Sequence, residues 1–210
     1  MNTLPPLVLA SASPRRSECL RTLGLSFTVQ PAEVPETVQH EESAEALVER
    51  LARDKAMAVA SVRPGAVVLG GDTVVTLDGQ ILGKPSGPED AEAMLCRLAG
   101  RTHNVASGLA LALPSGDVRS GVSTTEVTFR QFSPEFAHAY VATGEPLDKA
   151  GAYGIQGLGA ALVTEIQGDY YSVVGLPVAL LMRLFEESGW EYTFPSPARP
   201  HFFNVLLEGF

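Results

Sequence analysis

The stretch Leu7-Val8-Leu9-Ala10-Ser11-Ala12-Ser13-Pro14-Arg15-Arg16 places a short apolar strand directly before the start of a helix. Ser13 can cap that helix by accepting a backbone N–H, and Pro14 suits the first helical position, where its missing donor costs nothing. The free N–H groups and the dipole at a helix start attract anions. The stretch therefore predicts a strand, a turn and a helix whose first residues can receive an anion.

Two arginines, Arg15 and Arg16, occupy the first turn of this helix, where positive charge opposes the helix dipole. An anion outside the helix would explain them, because guanidinium groups hold phosphate through paired hydrogen bonds. The alternative is a solvated arginine pair at a helix start. The rest of the chain has to distinguish the two interpretations.

Strand-like and helix-like patterns alternate along the chain, which indicates an α/β or mixed fold. Its 210 residues fit one large domain or two small lobes around a cleft. We predict one domain over residues 1–189, followed by a proline- and aromatic-rich extension over 190–210 that docks on the body or on a partner. Helices are predicted over residues 14–23, 43–62, 89–98, 133–144 and 175–189, and strands over 7–10, 27–30, 66–69, 74–77, 80–82, 102–113, 118–130, 160–166 and 170–174.

The net charge of −9 makes nonspecific binding of nucleic-acid polymers or anionic membranes unfavourable, so any polyanion site must concentrate its positive charge in one pocket. No apolar run reaches the ~18 residues of a membrane span. The N-terminal residues lack the basic start of a signal peptide, so we expect a cytoplasmic protein. The two cysteines and four histidines form no zinc-binding spacing, and both cysteines are expected to be buried thiols.

Three common enzyme signatures are missing from the sequence. There is no phosphate-binding Gly-x-x-x-x-Gly-Lys-Ser/Thr loop, and residues 154–159 do not form a dinucleotide-binding fingerprint. No Gly-x-Ser-x-Gly turn is present either. The sequence therefore argues against a P-loop ATPase and against a serine hydrolase.

Two acidic residues are candidates for metal binding or proton transfer. Asp72 follows a predicted buried strand at a double glycine, and ligands of open α/β sheets gather beyond strand ends. It can be a metal ligand, a base or a residue that caps a turn. Glu36 lies in an acidic loop and is either a solvated charge or, if it faces the same cleft, a second oxygen ligand for Mg²⁺ or Mn²⁺.

Two lysines add to the candidate positive charge. Lys55 falls within the apolar stripe of the predicted 43–62 helix, four residues after Leu51 and four before Val59. Such a lysine must either extend its ammonium group to solvent or meet an anion in a cleft. Lys84 lies between Gly83 and Pro85 in a restricted loop, where most lysines face solvent. With Arg15 and Arg16, these residues form the pattern of a metal–phosphate site.

A glycine-dense stretch near residue 155 has Gly151, Gly154 and Gly157 at intervals of three. Tight turns explain such spacing, and so does close approach of the backbone to a ligand. Gln156 lies between two of these glycines. Its amide offers one acceptor and two donors, enough to read the imide edge of a pyrimidine, although an ordinary loop hydrogen bond is the alternative.

Taken together, these residues resemble the Maf family of nucleoside triphosphate pyrophosphatases, over residues 7 to 188. The glycine-dense stretch resembles the branch of that family that acts on dTTP and UTP. The matching segments are Ser11 to Arg16, Leu51-Ala52-Arg53-Asp54-Lys55-Ala56, Gly71-Asp72-Thr73-Val74-Val75, Leu82-Gly83-Lys84-Pro85, Gly100-Arg101-Thr102-His103, Asp148 to Gly157 and Gly168 to Pro177.

The resemblance implies a role for each candidate residue. Asp72 would be the catalytic proton acceptor, with Glu36 as its acidic partner in catalysis and metal binding and Glu33 as the alternative to Glu36. Lys55 and Lys84 would act in catalysis. Substrate binding would fall to Ser11, Ser13, Arg15, Arg16, Thr73 and Gln156, with Arg15, Thr73 and Gln156 selecting the base.

The resemblance also implies a fold and a reaction. The fold would be of the Maf/ITPase-like type, a mixed twisted sheet flanked by helices with two lobes around a central cleft. The enzyme would hydrolyse dTTP and UTP to the monophosphate and pyrophosphate with Mg²⁺ or Mn²⁺, as a possible homodimer. Modified triphosphates are an alternative substrate class. A second hypothesis is a nucleotide-binding regulator without turnover, because the family has been linked to septum formation and division arrest.

Overall fold

The computed structural model describes residues 5–194 and 204–205. In that part of the chain, three short 3₁₀ segments accompany the helices and strands, at Glu145–Asp148, Ala150–Ala152 and Gly157–Leu162. The helices are α1 (Pro14–Thr22), α2 (Ala44–Ala60), α3 (Pro88–Leu98), α4 (Pro134–Val141), α5 (Tyr170–Val174) and α6 (Val178–Glu187). The strands are β1 (Leu7–Leu9), β2 (Phe27–Val29), β3 (Val67–Leu77), β4 (Gln80–Leu82), β5 (Thr102–Ala112), β6 (Val118–Phe129), β7 (Val163–Gln167), β8 (Trp190–Glu191) and β9 (Asn204–Val205).

Seven of the strands form one mixed sheet in the order β2-β1-β3-β5-β6-β7, with β4 also paired to β3. Strand β1 runs parallel to both β2 and β3. The long strands β3, β5 and β6 form an antiparallel meander to which β7 and β4 add antiparallel partners. The predicted mixed α/β fold, with helices flanking the sheet, is confirmed.

Strand β3 has two different neighbours along one of its edges. Strand β5 pairs with its other edge over residues 68–76. The opposite edge pairs with β1 at residues 67–69 and with β4 at residues 75–77. Residues 70–74 therefore have no strand partner on that edge within the described chain, and the sheet divides there into two arms.

Helix α2 covers one face of the sheet, and it lies unusually close to the strands. A Cβ atom built on Gly70 of β3 would lie 2.1 Å from the carbonyl oxygen of Ala52, and one on Gly108 of β5 would lie 2.3 Å from that of Val48. One of the two core clusters beneath α2 is made of small side chains: Val8, Ala10, Ala52, Ala56, Val59, Ala66, Val68, Ala110 and Ala112. The two glycines thus allow the helix backbone to rest on the strands themselves.

The other face of the sheet carries the larger core. Leu69 and Val75 of β3 pack there with side chains from α1, α3, α4 and α6. Side chains alternate between the faces of a strand. Since Gly70 faces α2, Asp72 faces the α2 side as well, and Thr73 faces the opposite side.

The structure corrects three predictions made from the sequence. Strand β3 continues through the double glycine, so Asp72 lies in the middle of a strand and not after its end. Residues 170–174 form helix α5 and not a strand, because Asp169 caps the N–H of Tyr171 and Gly175 ends the turn with φ +107°. Cys96 is exposed, since the buried face of α3 is formed by Ala91, Leu95 and Leu98.

The predicted C-terminal extension begins with a contact to the body of the protein. The Tyr192 hydroxyl donates to the carbonyl oxygen of Leu23 over 2.7 Å, and the Trp190 ring lies 6.0 Å from that of Phe185. Strand β8 pairs with β9 in a separate two-stranded ribbon. Residues 195–203 and 206–210, on which the rest of this prediction falls, lie outside the described residues.

Among the residues that the structure describes, no helix combines the length and the apolar character needed to span a membrane.

The close approach of α2 predicts a large cost for any side chain at Gly108. In Gly108→Ala the new methyl group meets helix backbone, which cannot rotate away, so the variant should lose about 3 kcal/mol or more of unfolding free energy in urea denaturation. Gly83→Ala is the matched control, because a Cβ there meets nothing within 4 Å. Equal stabilities of the two variants would contradict the packing described above.

Candidate active site

A cleft of about 610 Å³ opens where the sheet divides beside β3. Its walls include residues from both faces of the sheet, among them Arg16, Lys55, Asp72 and Thr73. Consecutive strand residues ordinarily reach separate surfaces. Here no strand of the described chain pairs with this edge along residues 70–74, so Asp72 and Thr73 line one cavity from opposite faces.

The α2 side of the cleft is formed by an ammonium group between two carboxylates. Lys55 Nζ lies 2.7 Å from Asp72 Oδ1 and 2.5 Å from Glu36 Oε1. The Lys55 and Asp72 side chains are 10% and 13% exposed, whereas Glu36 is 56% exposed. Of the two outcomes predicted for a lysine in the apolar stripe, the structure shows the one in which it meets an anion.

Glu36 is held as an anion by the positive charges around the cleft. Partial burial opposes its ionisation, but the hydrogen bond and charge of Lys55, with the charges of Lys84 and Arg16, lower its pKa below the ordinary value. The alternative residue, Glu33, is exposed and does not line the cleft. Of the two candidate glutamates, Glu36 is therefore the one that contacts Lys55 in the cleft.

The two carboxylates each retain one free oxygen. Asp72 Oδ2 and Glu36 Oε2 have no hydrogen-bond partner within residues 5–194. No group of three or more His, Cys, Asp or Glu side chains suited to a metal is found in the described chain. The donor set fits an ion such as Mg²⁺, which commonly takes one or two carboxylates and completes its shell with phosphate oxygens and water.

The opposite side of the cleft is organised by Arg16. Its Nε–H donates to the Gly175 carbonyl over 2.8 Å, one Nη1–H to Ser11 Oγ over 3.0 Å, and one Nη2–H to Thr73 Oγ1 over 3.1 Å. Burial lowers the pKa of the guanidinium, and the charge of Asp72 counteracts part of that shift. Arg16 joins α1, β3 and the end of α5, and two of its five N–H groups remain for a ligand.

A hydrogen-bond chain leads from Thr73 into the core. Thr73 Oγ1 lies 2.8 Å from Ser107 Oγ on β5, and Ser107 Oγ donates to the Ser172 carbonyl of α5 over 2.7 Å. Ser107 is fully buried. Sequence reasoning did not single out Ser107, because no local pattern marks a serine whose partners are distant in the chain.

The remaining predicted site residues also line the cleft. Arg15 Nη1 lies 3.8 Å from Asp148 Oδ2, and Ser13 caps α1. Lys84 is exposed. The Gln156 side chain has no hydrogen-bond partner in the part of the chain that the structure describes. The structure thus brings together all the predicted residues, and it leaves Lys84 and the amide of Gln156 available to a ligand.

The loop that carries Glu36 is attached to α2 by Arg50. The Arg50 guanidinium donates to both oxygens of Glu42, over 2.6 and 2.8 Å, and to the Thr37 carbonyl over 3.0 Å. Glu42 and Thr37 both belong to the segment between β2 and α2. Arg50 was not predicted from the sequence, where it is one more charge on a helix.

The glycine-dense loop around Gln156 is held by Tyr140 and Glu145, two further residues that sequence reasoning missed. The Gly154 N–H donates to the Tyr140 hydroxyl over 3.2 Å. The N–H groups of Leu158 and Gly159 each donate to the Glu145 carboxylate over 3.0 Å. The loop is therefore anchored two residues before and two residues after Gln156.

The spacing of the glycines reflects turns and contacts within the protein. Gly151 and Gly157 adopt φ +66° and +78°, and a Cβ on Gly157 would lie 2.8 Å from Glu145 Oε2. A Cβ on Gly154, whose φ is not positive, would instead meet the Lys149 side chain at 2.8 Å. Tight turns therefore explain Gly151 and Gly157. At each of the three glycines the nearest neighbour is a side chain of the protein itself.

His103, from one of the matching segments, lies in the core beneath this loop. Its Nε2 is 2.8 Å from the Tyr153 hydroxyl. Burial lowers the pKa of His103 to about 4, so the imidazole is neutral near pH 7. His103 supports the loop from below and is not among the residues that line the cleft.

A mixed α/β fold whose cleft gathers cations around two carboxylates defines a protein that handles phosphate-bearing ligands. Residues 6–188 match the family model described as Maf-like protein. The chain belongs to the Maf family.

Three curated relatives are identical to this chain at about half of the aligned residues. A dTTP/UTP pyrophosphatase of Moorella thermoacetica is 53% identical over 188 residues, covering 88% of this chain and 97% of the relative. A dTTP/UTP pyrophosphatase of Symbiobacterium thermophilum is 50% identical, and the match covers 88% of this chain and 94% of the relative. A dTTP/UTP pyrophosphatase of Halalkalibacterium halodurans is 44% identical, and the match covers 91% of this chain and 100% of the relative.

One solved structure shows a more remote similarity to this chain. A nucleoside-triphosphatase, or dITP/XTP pyrophosphatase, from Mycobacterium abscessus is 16% identical with a TM-score of 0.38, over 60% of this chain and 75% of its own.

The Arg50 anchor predicts a pH-dependent loss of stability through Glu42. Hydrogen bonds from Arg50 and from the Gln39 N–H lower the pKa of Glu42 from 4.5 to about 2. A lowered carboxyl pKa contributes stability that is complete above the unfolded-state pKa and is lost as the pH falls through the folded-state pKa. The unfolding free energies of the wild type and Glu42→Gln, from urea denaturation, should differ constantly between pH 7 and about 5 and converge at lower pH.

The matched control for this prediction is Glu41→Gln. It removes a negative charge from the same loop at a side chain that is 87% exposed. If the unfolding free energies of the wild type and Glu41→Gln converge at low pH by the same amount, the pH effect comes from the overall charge of the loop and not from the Arg50 anchor.

Proposed function

We propose that this chain hydrolyses dTTP and UTP to the nucleoside monophosphate and pyrophosphate. The observation that carries the proposal is the Asp72 carboxylate, which lines the cleft with one oxygen held by Lys55 and the other free. The relatives named dTTP/UTP pyrophosphatase support the choice of substrates. No observation favours the alternative of a nucleotide-binding regulator without turnover.

Asp72 acts as the general base in this proposal. A water molecule attacks the α-phosphorus as Asp72 Oδ2 accepts its proton. The new P–O bond forms while the α–β anhydride bond breaks, and pyrophosphate leaves with the electron pair. Lys55 orients the carboxylate through Oδ1. General-base catalysis of this kind contributes about 10²–10⁴-fold to the rate.

Positive groups on several elements of the cleft position the triphosphate. Lys55 uses two of its three N–H donors on Asp72 and Glu36, which leaves one for a phosphate oxygen. Arg15 and Lys84 lie at the cleft, and Arg16 retains two N–H groups. Concentrating these charges in one cavity allows an acidic protein to bind a polyanion.

A divalent cation, Mg²⁺ or Mn²⁺, would be held by the free oxygens of Asp72 and Glu36. When bound, it neutralises negative charge on the phosphates. A carboxylate oxygen bound to a cation is a weaker base, so when Asp72 Oδ2 accepts the proton of the attacking water, Glu36 Oε2 and phosphate oxygens would hold the cation.

The base would be read by Thr73 and Gln156. Gln156 offers an amide that makes no hydrogen bond within the described chain, and Thr73 offers a hydroxyl. A site that hydrogen-bonds the 4-oxo and N3–H edge of uracil or thymine rejects cytosine, because the mismatched edge leaves polar groups unpaired. Substrates that carry modifications away from this edge are compatible with the same contacts.

The proposal is tested by measuring pyrophosphate release over a panel of common and modified triphosphates, with and without Mg²⁺ or Mn²⁺. The wild type should prefer dTTP and UTP and require the cation. Asp72→Asn should lower kcat by about 10²–10⁴-fold while nucleotide binding persists, because the amide cannot accept the proton of the attacking water.

Asp117→Asn is the matched control for Asp72→Asn, since Asp117 lies in the exposed turn between β5 and β6 and does not line the cleft. It should retain nearly full activity. Nucleotide binding by a wild type that releases no pyrophosphate from any triphosphate would establish the regulator hypothesis instead.

A further inference from the structure

The hydroxyl of Thr73 is surrounded by partners that determine which way it can hydrogen-bond. Arg16 Nη2 lies 3.1 Å away and can only donate. Ser107 Oγ lies 2.8 Å away, and in that pair either hydroxyl could be the donor when the contact is considered alone. The next contact in the hydrogen-bond chain, from Ser107 to Ser172, determines which hydroxyl donates.

Ser107 has one hydroxyl proton, and the Ser172 carbonyl takes it. Ser107 Oγ lies 2.7 Å from that carbonyl oxygen, which can only accept. With its proton used there, Ser107 must accept from Thr73. Ser107 is fully buried, so no solvent is present to offer another arrangement.

Thr73 therefore has no proton left for a ligand. Its proton goes to Ser107, one lone pair accepts from Arg16, and one lone pair remains. Since Thr73 lines the cleft, a group that meets its hydroxyl there must bring a donor. Uracil and thymine carry N–H at N3, whereas N3 of cytosine is an acceptor.

We propose that Ser107 is a specificity-determining residue that acts through Thr73, by making the Thr73 hydroxyl an obligatory acceptor. The proposal rests on the proposed function in one respect, that Thr73 contacts the base. Gln156 alone cannot discriminate in this way, because its amide can rotate by 180° and exchange donor for acceptor. The Thr73–Ser107–Ser172 chain has fixed polarity and removes that freedom.

The test compares kcat/KM for UTP and CTP in the wild type and Ser107→Ala. Removing the Ser107 oxygen frees the Thr73 proton, so Thr73 can donate to N3 of cytosine. We expect kcat/KM for CTP to rise about tenfold, the factor that one hydrogen bond supplies, while that for UTP falls a few-fold. Structural damage alone would lower both values and leave CTP no better than before.

Three further variants keep the result interpretable. Ser123→Ala removes the cross-strand neighbour of Ser107 on β6 and should leave the UTP to CTP ratio unchanged. Ser107→Cys nearly retains the side-chain volume but carries a weaker hydrogen-bonding group, so it should narrow the UTP to CTP ratio of kcat/KM less than Ser107→Ala does. The cysteine variant also replaces the alanine variant in the test if Ser107→Ala does not fold. Thr73→Val should lower UTP turnover without raising that of CTP.

An unchanged UTP to CTP ratio in both Ser107 variants would overturn the proposal. The binding preference between UTP and CTP can be measured separately, as the ratio of their dissociation constants from equilibrium dialysis without a divalent cation. An enzyme that hydrolyses no triphosphate would overturn the proposed function, while a Ser107→Ala shift in binding preference toward CTP would still support the role of Ser107.

Discussion

The backbone contact between α2 and the sheet determines the geometry of the site. Helix α2 rests on β3 and β5 at Gly70 and Gly108, where any side chain would overlap the helix backbone. Residues at intervals of three and four share one face of a helix, so Lys55 lies on the face that includes Val48 and Ala52. The contact therefore holds Lys55 within 2.7 Å of Asp72.

Burial of Lys55 is favourable only because two carboxylates meet it. An ammonium group removed from water carries a large desolvation cost unless it is paired and hydrogen-bonded. Asp72 from the sheet and Glu36 from the preceding loop supply that pairing, and Arg50 attaches the loop to the same helix. The cleft thus contains an ordered carboxylate whose second oxygen is free, an arrangement that three separate elements produce together.

The division of the sheet explains how one cavity uses both faces of a strand. Asp72 belongs to the α2 side with Lys55, and Thr73 belongs to the opposite side with Arg16 and Ser107. In our proposal the first side carries the chemistry and the second reads the base. Among the described residues no strand pairs with this edge along residues 70–74, and this opening joins the two functions in one cleft.

Local sequence signals predicted the elements of this structure well. Ser13, Ser43 and Ser133 cap helices α1, α2 and α4. The position of Lys55 in an apolar stripe allowed either solvent or an anion in a cleft, and the structure shows the anion. Two adjacent glycines suggest the end of a strand in the sequence, although Gly70 allows a close approach of α2 that only the folded chain reveals. The same limit applies to α5, where strand-like residues adopt a helical turn set by its two ends.

Contacts between distant parts of the chain account for what the sequence could not predict. The sequence shows Arg16 only as half of an arginine pair, whereas its hydrogen bonds to Thr73 and Gly175 reach residues 57 and 159 positions away. The roles of Ser107, Arg50 and Glu145 likewise come from partners on other elements. Such residues carry ordinary side chains in ordinary local patterns, so only the tertiary structure distinguishes them.

The most direct measurement is a crystal structure of the protein with a UTP analogue whose α–β bridging oxygen is replaced by a nitrogen, together with Mg²⁺. The account predicts that Lys55 still contacts Asp72 and that a water on Asp72 Oδ2 lies about 3–3.5 Å from the α-phosphorus, in line with the leaving pyrophosphate. An analogue bound outside the cleft, or one whose α-phosphorus lies far from Asp72, would contradict it.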